Sequence, residues 1–165
     1  GNIVAKVPSG TGIMILATSN VEIFNNEIIN NKTANTSIVS YYITEEPISD
    51  SLYYPYPNSI YIHDNNFVRD KQFPSFSFKQ PIGFLLAYNF WRNVPDIIYD
   101  GIVDRSLIMK NGKISDQQRI CIQNNTNASF VNLDAENNFE NMSLDIFVHD
   151  CQHLPIREVV HPFIK

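Results

Sequence analysis

The chain has 165 residues, of which 44% are hydrophobic and 18% charged, and its net charge is −5. This apolar content suits one globular domain with a real core and excludes a collagen-like, coiled-coil or disordered chain. Apolar runs such as 83–88 fall far short of the roughly 18 residues of a membrane span, and no Lys/Arg cluster is found. We therefore expect neither a transmembrane segment nor nucleic acid as a partner.

Three short segments, 21–28, 60–67 and 120–127, share the pattern apolar-x-Ile-x-(Asn/Asp)-Asn. Apolar and polar residues alternate in each copy, which is typical of a short strand with one buried face. Asn, of which the chain has 20 copies, tolerates the backbone conformation of the tight turn that would follow. The third copy has Asn127 where the other two have an apolar residue, so it is expected at the edge of the array.

A second series of apolar runs precedes these copies and lies at 12–17, 37–41 and 83–87. We expect each run to form a short strand, with the run at 97–99 following the last of them as 21–24 follows the first. The predicted order is therefore a strand, a turn, a second strand and an Asn turn, repeated along the chain.

Short one-faced strands that recur after 20-odd residues are what a parallel β-helix requires, because each coil buries its apolar face only by stacking on the next. The predicted fold class is all-β, a right-handed parallel β-helix of about three to four coils with loop insertions and an irregular C-terminal tail. Asn26, Asn65 and Asn125 would occupy equivalent corners and form a hydrogen-bonded ladder. A β-sandwich with Asn-rich turns is the alternative, since it also has short alternating strands.

Residues 1–135 are expected to form the coils, with insertions near 42–58, 68–81 and 104–118, and residues 136–165 a tail packed over the last coil. The first predicted strand starts near Gly12, and the residues before it are too few to cover a coil. Because a terminal coil exposes its edge groups and its core, it needs a cap. We expect the chain to be the C-terminal part of a longer β-helix, or another protein chain to cover its N-terminal end.

Several stretches, taken in order, match a known kind of protein. They are VPSGTGIMIL at 7–16, YPYP at 54–57 leading into IYIHDN at 60–65, PDIIYDGI at 95–102, ICIQNN at 120–125, NLD at 132–134 and HDC at 149–151. In this series the chain resembles the C-terminal part of a family of exported bacterial parallel β-helix repeat proteins.

The resemblance implies an extracytoplasmic protein that is periplasmic, secreted or lipid-anchored through a segment outside this chain. It also implies a partner of the c-type cytochrome kind. Since the family has no established catalytic residues, none can be carried over to this chain.

The two cysteines are candidates for a disulfide. Cys121 takes an outward-facing strand position and Cys151 lies in the tail, so a bond between them would pin the tail to the last coil. Closing a loop of about 30 residues is worth roughly 3–4 kcal/mol, and an exported protein permits it. The alternative is two free thiols in a cytosolic protein. His149 and His153, four residues apart, are candidates for metal or haem ligation or for a plain surface role.

Asp96, Asp100 and Asp104 recur at four-residue spacing, close to Arg105. On one β-helix face these Asp residues could bind calcium. They could instead act with Arg92, Arg105 or Arg119 as polysaccharide lyases do, with a basic residue removing a proton beside a uronate carboxylate. The alternative is that the acids cap turns and the arginines lie on the surface. We therefore expect no cofactor unless these carboxylates bind calcium.

The insertion at 42–58 interleaves Tyr53, Tyr54 and Tyr56 with Pro47, Pro55 and Pro57. Exposed tyrosine rings held by prolines form a rigid surface that a sugar or a partner protein can stack against. The alternative is that these rings pack along the coils and stiffen the loop.

Two functions follow as hypotheses. The first is a non-catalytic extracytoplasmic β-helix scaffold or binding module that docks a partner, a cytochrome c-type redox protein among the candidates. The second is a carbohydrate-active enzyme, a polysaccharide lyase or epimerase, acting on an acidic glycan. The fold alone does not choose between them.

Overall fold

The computed structural model describes residues 7–77 and 81–156. Over these residues the chain is mainly strand. The strands are β1 (Thr11–Leu16), β2 (Ser19–Phe24), β3 (Glu27–Ile29), β4 (Ala34–Val39), β5 (Asn58–His63), β6 (Asn66–Val68), β7 (Ile97–Tyr99), β8 (Ile120–Gln123) and β9 (Phe130–Asn132). One α-helix, α1 (Ile82–Phe90), joins them, with 3₁₀ turns at Tyr41–Thr44, Arg105–Leu107, Asp116–Gln118, Ala135–Asn137 and Ile146–His149.

The strands form three sheets, and every strand pairing is parallel. The first sheet has the order β1-β4-β7-β9, the second β2-β5-β8 and the third β3-β6. The chain thus visits the three sheets in turn and then revisits them in the same order. An isolated parallel bridge from Asn66 to Thr126 continues the third sheet beyond β6. The prediction of a mainly β chain with parallel sheets is confirmed.

The register of the second sheet places like side chains over one another. Ile60 of β5 is aligned with Val21 of β2 on one side and with Ile120 of β8 on the other. Two residues further along each strand, a second isoleucine-rich row is aligned in the same way. Both rows point into the main core, which also receives Ile38, Phe67, Ile97 and Phe130. The core therefore lies between the sheets, where stacking removes each apolar row from water.

An asparagine column runs beside this core, at the turn after the second sheet. The Asn26 side-chain amide donates to Asn65 Oδ1 at 3.0 Å, and the Asn65 amide donates to Asn125 Oδ1 at 2.9 Å. The backbone N–H groups of Asn26 and Asn65 donate to the same two oxygens, each at 3.0 Å. The residue before each asparagine has a positive φ (56° at Asn25, 52° at Asp64, 54° at Asn124), which Asn and Asp tolerate better than most residues.

The structure corrects the expected strand at 83–87. These residues belong to α1, whose buried Leu86 packs with Ile98 and Val131 on the outer face of the first sheet. The helix lies outside the sheets, where a backbone that satisfies its own hydrogen bonds needs no strand partner. As a consequence Ile97–Tyr99 pairs with β4 in the first sheet, so the expectation that it follows a strand as 21–24 does is also wrong.

The C-terminal segment is fixed across β8. Cys121 and Cys151 form a disulfide, which confirms that prediction and leaves Cys121 fully buried. His149 and His153 donate ring N–H groups to the backbone carbonyls of Ile120 and Arg119, each at 2.9 Å. These bonds give both histidines a structural role. The expected tail at 136–165 lies in part outside the described residues, from 157 onward.

Candidate binding cleft

The tyrosine-rich insertion between β4 and β5 folds back on the body of the protein. The backbone N–H of Tyr41 donates to the carbonyl of Pro55 at 2.8 Å and closes the base of the insertion. The hydroxyl of Tyr54 donates to Asp104 Oδ2 at 2.9 Å, in the loop that follows β7. Two insertions that are distant in sequence therefore meet on one side of the molecule.

The rings of the insertion pack edge to face rather than into the core. Ring centroids lie 5.3 Å apart for Tyr42 and Tyr56, 5.6 Å for Tyr54 and Tyr56, and 5.1 Å for Tyr41 and Tyr53. The rings of Tyr42, Tyr53 and Tyr54 remain more than one third exposed. Mutual packing thus fixes the rings while leaving part of their faces open to a ligand.

The electrostatics keep the phenols neutral and the neighbouring acid ionised. A hydrogen bond with Tyr42, together with burial, raises the pKa of Tyr56 to about 12. Burial, and then the hydrogen bond to Asp104, raises the pKa of Tyr54 to about 12. Hydrogen bonds from Ser106 and then Tyr54 lower the pKa of the Asp104 carboxyl. At neutral pH the phenols are hydrogen-bonding groups and Asp104 is an anion.

A cleft of about 390 Å³ opens beside these rings. We call it the tyrosine cleft, and its lining residues are Tyr42, Tyr56, Ile102, Val103, Asp104, Arg105, Ser106 and Glu136. Arg105 Nη2 pairs with Glu136 Oε1 at 2.7 Å, and the guanidinium is largely exposed. The cleft therefore combines aromatic rings, an exposed cation paired with Glu136 and the Asp104 carboxylate.

The tyrosine cleft gathers part of the residue set expected to bind. Tyr56 and Arg105 line it, and Tyr54 supports it through Asp104 and through the Tyr56 ring. Tyr53 packs on Tyr41 instead and is not in the lining. Glu136 reaches the cleft from a turn 31 residues beyond Arg105, and no local pattern in the sequence points to it.

Asp96 and Asp100 lie elsewhere and are almost completely buried. Asp96 accepts a hydrogen bond from the Asn35 amide at 2.7 Å and others from Ser129. Asp100 accepts from the backbone N–H groups of Ser40 at 2.7 Å and Ile102 at 3.0 Å, and its burial raises its pKa to about 6. These contacts favour the turn-fixing role that the sequence left as the alternative.

A second concavity, of about 950 Å³, runs between the outer face of the first sheet and α1. Its walls are mainly apolar, with Met14, Leu16 and Val39 from the sheet and Leu85 from the helix. Asp100 reaches its edge. The groove and the tyrosine cleft share no lining residue, so they are separate features.

Within residues 7–77 and 81–156, no group of three or more His, Cys, Asp or Glu is arranged to hold a metal ion. Among the same residues, no helix has the length and apolar character needed to cross a bilayer.

The chain matches no protein-family model, no curated protein and no solved structure. Any function of the tyrosine cleft must therefore be inferred from the residues that line it.

Proposed function

We propose that the chain is a non-catalytic binding module built as a parallel β-helix, and that the tyrosine cleft binds a saccharide. The β-helix is supported by the repeated order in which strands enter the three parallel sheets. The aligned core rows and the Asn26–Asn65–Asn125 column support it further, because both need equivalent positions stacked at strand spacing. The resemblance to exported β-helix repeat proteins agrees with this proposal.

The observation that most supports saccharide binding is that one cleft contains partly exposed tyrosine rings, Asp104 and the Arg105–Glu136 pair. The apolar ring faces suit the C–H faces of a sugar. Charged hydrogen-bonding groups at the same place suit its hydroxyls, and a few such groups fix the orientation of a ligand. The cleft volume fits a short oligosaccharide segment rather than a large partner surface.

Binding is favoured over catalysis by the protonation states of the cleft. A general acid or base works best when its pKa lies near the operating pH. The pKa values of Tyr54 and Tyr56 are raised to about 12 and the pKa of Asp104 is lowered. Each pKa is therefore shifted further from a neutral operating pH. The lyase or epimerase hypothesis relied on Asp96 and Asp100 together with Arg105. Both carboxylates are buried in other hydrogen bonds, and Arg105 is paired with Glu136. No described contact favours that alternative.

The proposal includes an extracytoplasmic location, in the periplasm, in the medium or on a lipid anchor. A disulfide such as Cys121–Cys151 is compatible with it, because such bonds persist in oxidising compartments. We further propose that β1, β2 and β3, each at the end of its sheet, are covered by further coils or by another chain. A c-type cytochrome remains the partner suggested by the family resemblance.

Calorimetric titration of the chain with neutral and acidic oligosaccharides tests the proposed function. Saturable binding without any change in the sugar is the expected result. Formation of an unsaturated uronate, seen as new ultraviolet absorbance, would instead establish the lyase alternative. A titration with a soluble c-type cytochrome forms the third arm. Binding of the cytochrome but of no sugar would replace the saccharide by a redox partner.

A further inference from the structure

Helix α1 presents aromatic residues to the solvent. Phe84 and Tyr88, four residues apart, lie on one side of the helix, and Trp91 follows directly after its last residue. Tyr88 is 89% exposed and Trp91 66% exposed, and Phe84 is nearly half exposed. No residue of Ile82–Phe90 is charged. Apart from the exposed Asn89, the helix is thus apolar on its outer side as well as on the side that faces the sheet.

The loop before α1 extends this surface. The ring of Phe73 lies 4.7 Å from Trp91, edge to face, and that of Phe76 lies 5.1 Å from Phe84. Both phenylalanines are more than one third exposed. We call Phe73, Phe76, Phe84, Tyr88 and Trp91 the aromatic face. Five clustered and exposed rings exceed what a soluble surface usually carries without a partner.

The segment of the chain that carries the aromatic face is opposite in charge to the rest of the sequence. Residues 69–92 contain four Lys or Arg and one Asp, a net charge of +3, whereas the remaining residues carry −8. The Arg92 guanidinium lies 5.9 Å from the centre of the Phe73 ring and donates to the Lys71 carbonyl at 2.7 Å. Arg69 donates to the carbonyl of Lys32 at 2.6 Å. Arg92 therefore lies beside the rings, and Lys71, whose carbonyl it contacts, is exposed.

Trp91 is held in a costly backbone conformation. It ends α1 with φ 55° and ψ −114°, in a region that glycine adopts far more readily. The position after a helix is commonly taken by glycine for this reason. The indole packs edge to face on Phe73 but is 66% exposed, so packing within the chain offsets only part of this cost.

We propose that the aromatic face and its cations bind the surface of a membrane that contains anionic phospholipid. Tryptophan, tyrosine and phenylalanine partition into the headgroup region. Lysine and arginine beside them are attracted to anionic lipids. The acidic remainder of the chain would be repelled from the same surface, so the charge distribution also orients the molecule. This surface is distinct from the tyrosine cleft and does not depend on it.

Trp91 supplies a direct readout because it is the only tryptophan in the chain. The chain is titrated with vesicles of phosphatidylcholine alone, or of phosphatidylcholine mixed with phosphatidylglycerol, and both tryptophan emission and co-sedimentation are recorded. With anionic vesicles we expect a shift of emission to shorter wavelength together with co-sedimentation. With phosphatidylcholine alone we expect much weaker effects, and high salt should reverse the anionic binding.

Matched variants distinguish specific binding by the aromatic face from nonspecific adsorption to vesicles. Lys71→Gln should weaken vesicle binding roughly fivefold, whereas Lys113→Gln should not. Tyr88→Ser should also weaken it, and Phe147→Ser is its control because Phe147 is 81% exposed outside the aromatic face. Equal binding to both vesicle types, or equal loss in Tyr88→Ser and Phe147→Ser, would overturn the proposal. So would a Trp91 shift that follows protein concentration without vesicles, since the face would then join two copies of the chain.

Discussion

Tyr54 and Asp104, fifty residues apart, are joined by a hydrogen bond of 2.9 Å from the phenol to the carboxylate. This bond fastens the insertion after β4 to the loop after β7. Asp104 is held from its other side by the backbone N–H of Ser106 at 2.8 Å. The two loops that form the tyrosine cleft are thus connected by one side-chain contact, which makes the contact a good place to test the arrangement.

Tyr54→Phe removes this contact and keeps the ring. We expect the pKa of Asp104 to rise, because the lost hydrogen bond favours the ionised carboxyl. The rise can be followed by a carboxyl-detected NMR titration of Asp104. Tyr88→Phe is the control, since Tyr88 lies on α1, far from Asp104 in the chain. An unchanged Asp104 titration in Tyr54→Phe would mean that the insertion does not rest on the loop after β7.

The asparagine column should be most sensitive at its centre. Asn65→Ala removes hydrogen bonds to Asn26 and Asn125 and to the carbonyls of Ile23 and His63. Because Asn65 is itself buried and all of these hydrogen bonds are lost, we expect a loss of about 3 kcal/mol in the free energy of unfolding.

Asn26→Ala, at the exposed end of the column, provides the comparison and should lose about 1 kcal/mol. Urea unfolding monitored by circular dichroism measures both variants. If the two losses were equal, the column would not act as a continuous network centred on the buried Asn65.

Reduction of the Cys121–Cys151 disulfide should release the segment that covers β8. The loop spans 30 residues, and for this length the chain-entropy relation gives about 3–4 kcal/mol. The Cys121→Ala/Cys151→Ala double variant should show the same loss without reductant and no further loss with it. A wild-type chain whose stability is unaffected by dithiothreitol would contradict the structural role of the bond.

Stability should depend on the protonation of Asp100. Its pKa is about 6 in the folded protein, against 3.8 as the ordinary value, so between these values the folded state binds more protons than the unfolded chain. The stabilising contribution of the protonated carboxyl is therefore present below pH 4 and lost as the pH rises through 6. A shift of this size corresponds to about 3 kcal/mol.

Asp100→Asn isolates this contribution, because the amide cannot titrate. Urea unfolding from pH 4 to pH 7 should show that the variant lacks the decline that Asp100 adds to the wild-type profile. The comparison between the two profiles is needed because burial lowers the pKa of His149, which removes stability as the pH falls. Parallel profiles for the two proteins would contradict the account of Asp100.

The parts of the fold that sequence predicts are those with local alternation. Ile60 and Ile62 flank Tyr61 in β5 and point into the core, as the period of two requires. The asparagines could be placed in one column because each follows such a strand by the same number of residues. The disulfide followed from one cysteine on a strand and the other in the tail.

The sequence pattern could not predict helix α1. Gly83 to Ala87 is a short apolar run, and a segment that is apolar on all sides has no period that separates a helix from a strand. Because of the same ambiguity, the sequence predicts the wrong sheet for Ile97–Tyr99. For the tyrosine cleft, Tyr56 and Arg105 could be singled out by residue type. Glu136 could not, because only the folded chain brings it to the guanidinium.

The measurement that tests the central claim most directly is the dissociation constant of the best-bound oligosaccharide for two tyrosine variants. Tyr42→Ala removes a ring from the lining of the cleft, and Tyr88→Ala removes an exposed ring on α1. If the cleft binds the sugar, Tyr42→Ala should weaken binding about tenfold, and Tyr88→Ala should leave it unchanged, with both proteins equally folded. Unchanged binding in Tyr42→Ala, or an equal loss in both variants, would contradict the assignment of the cleft.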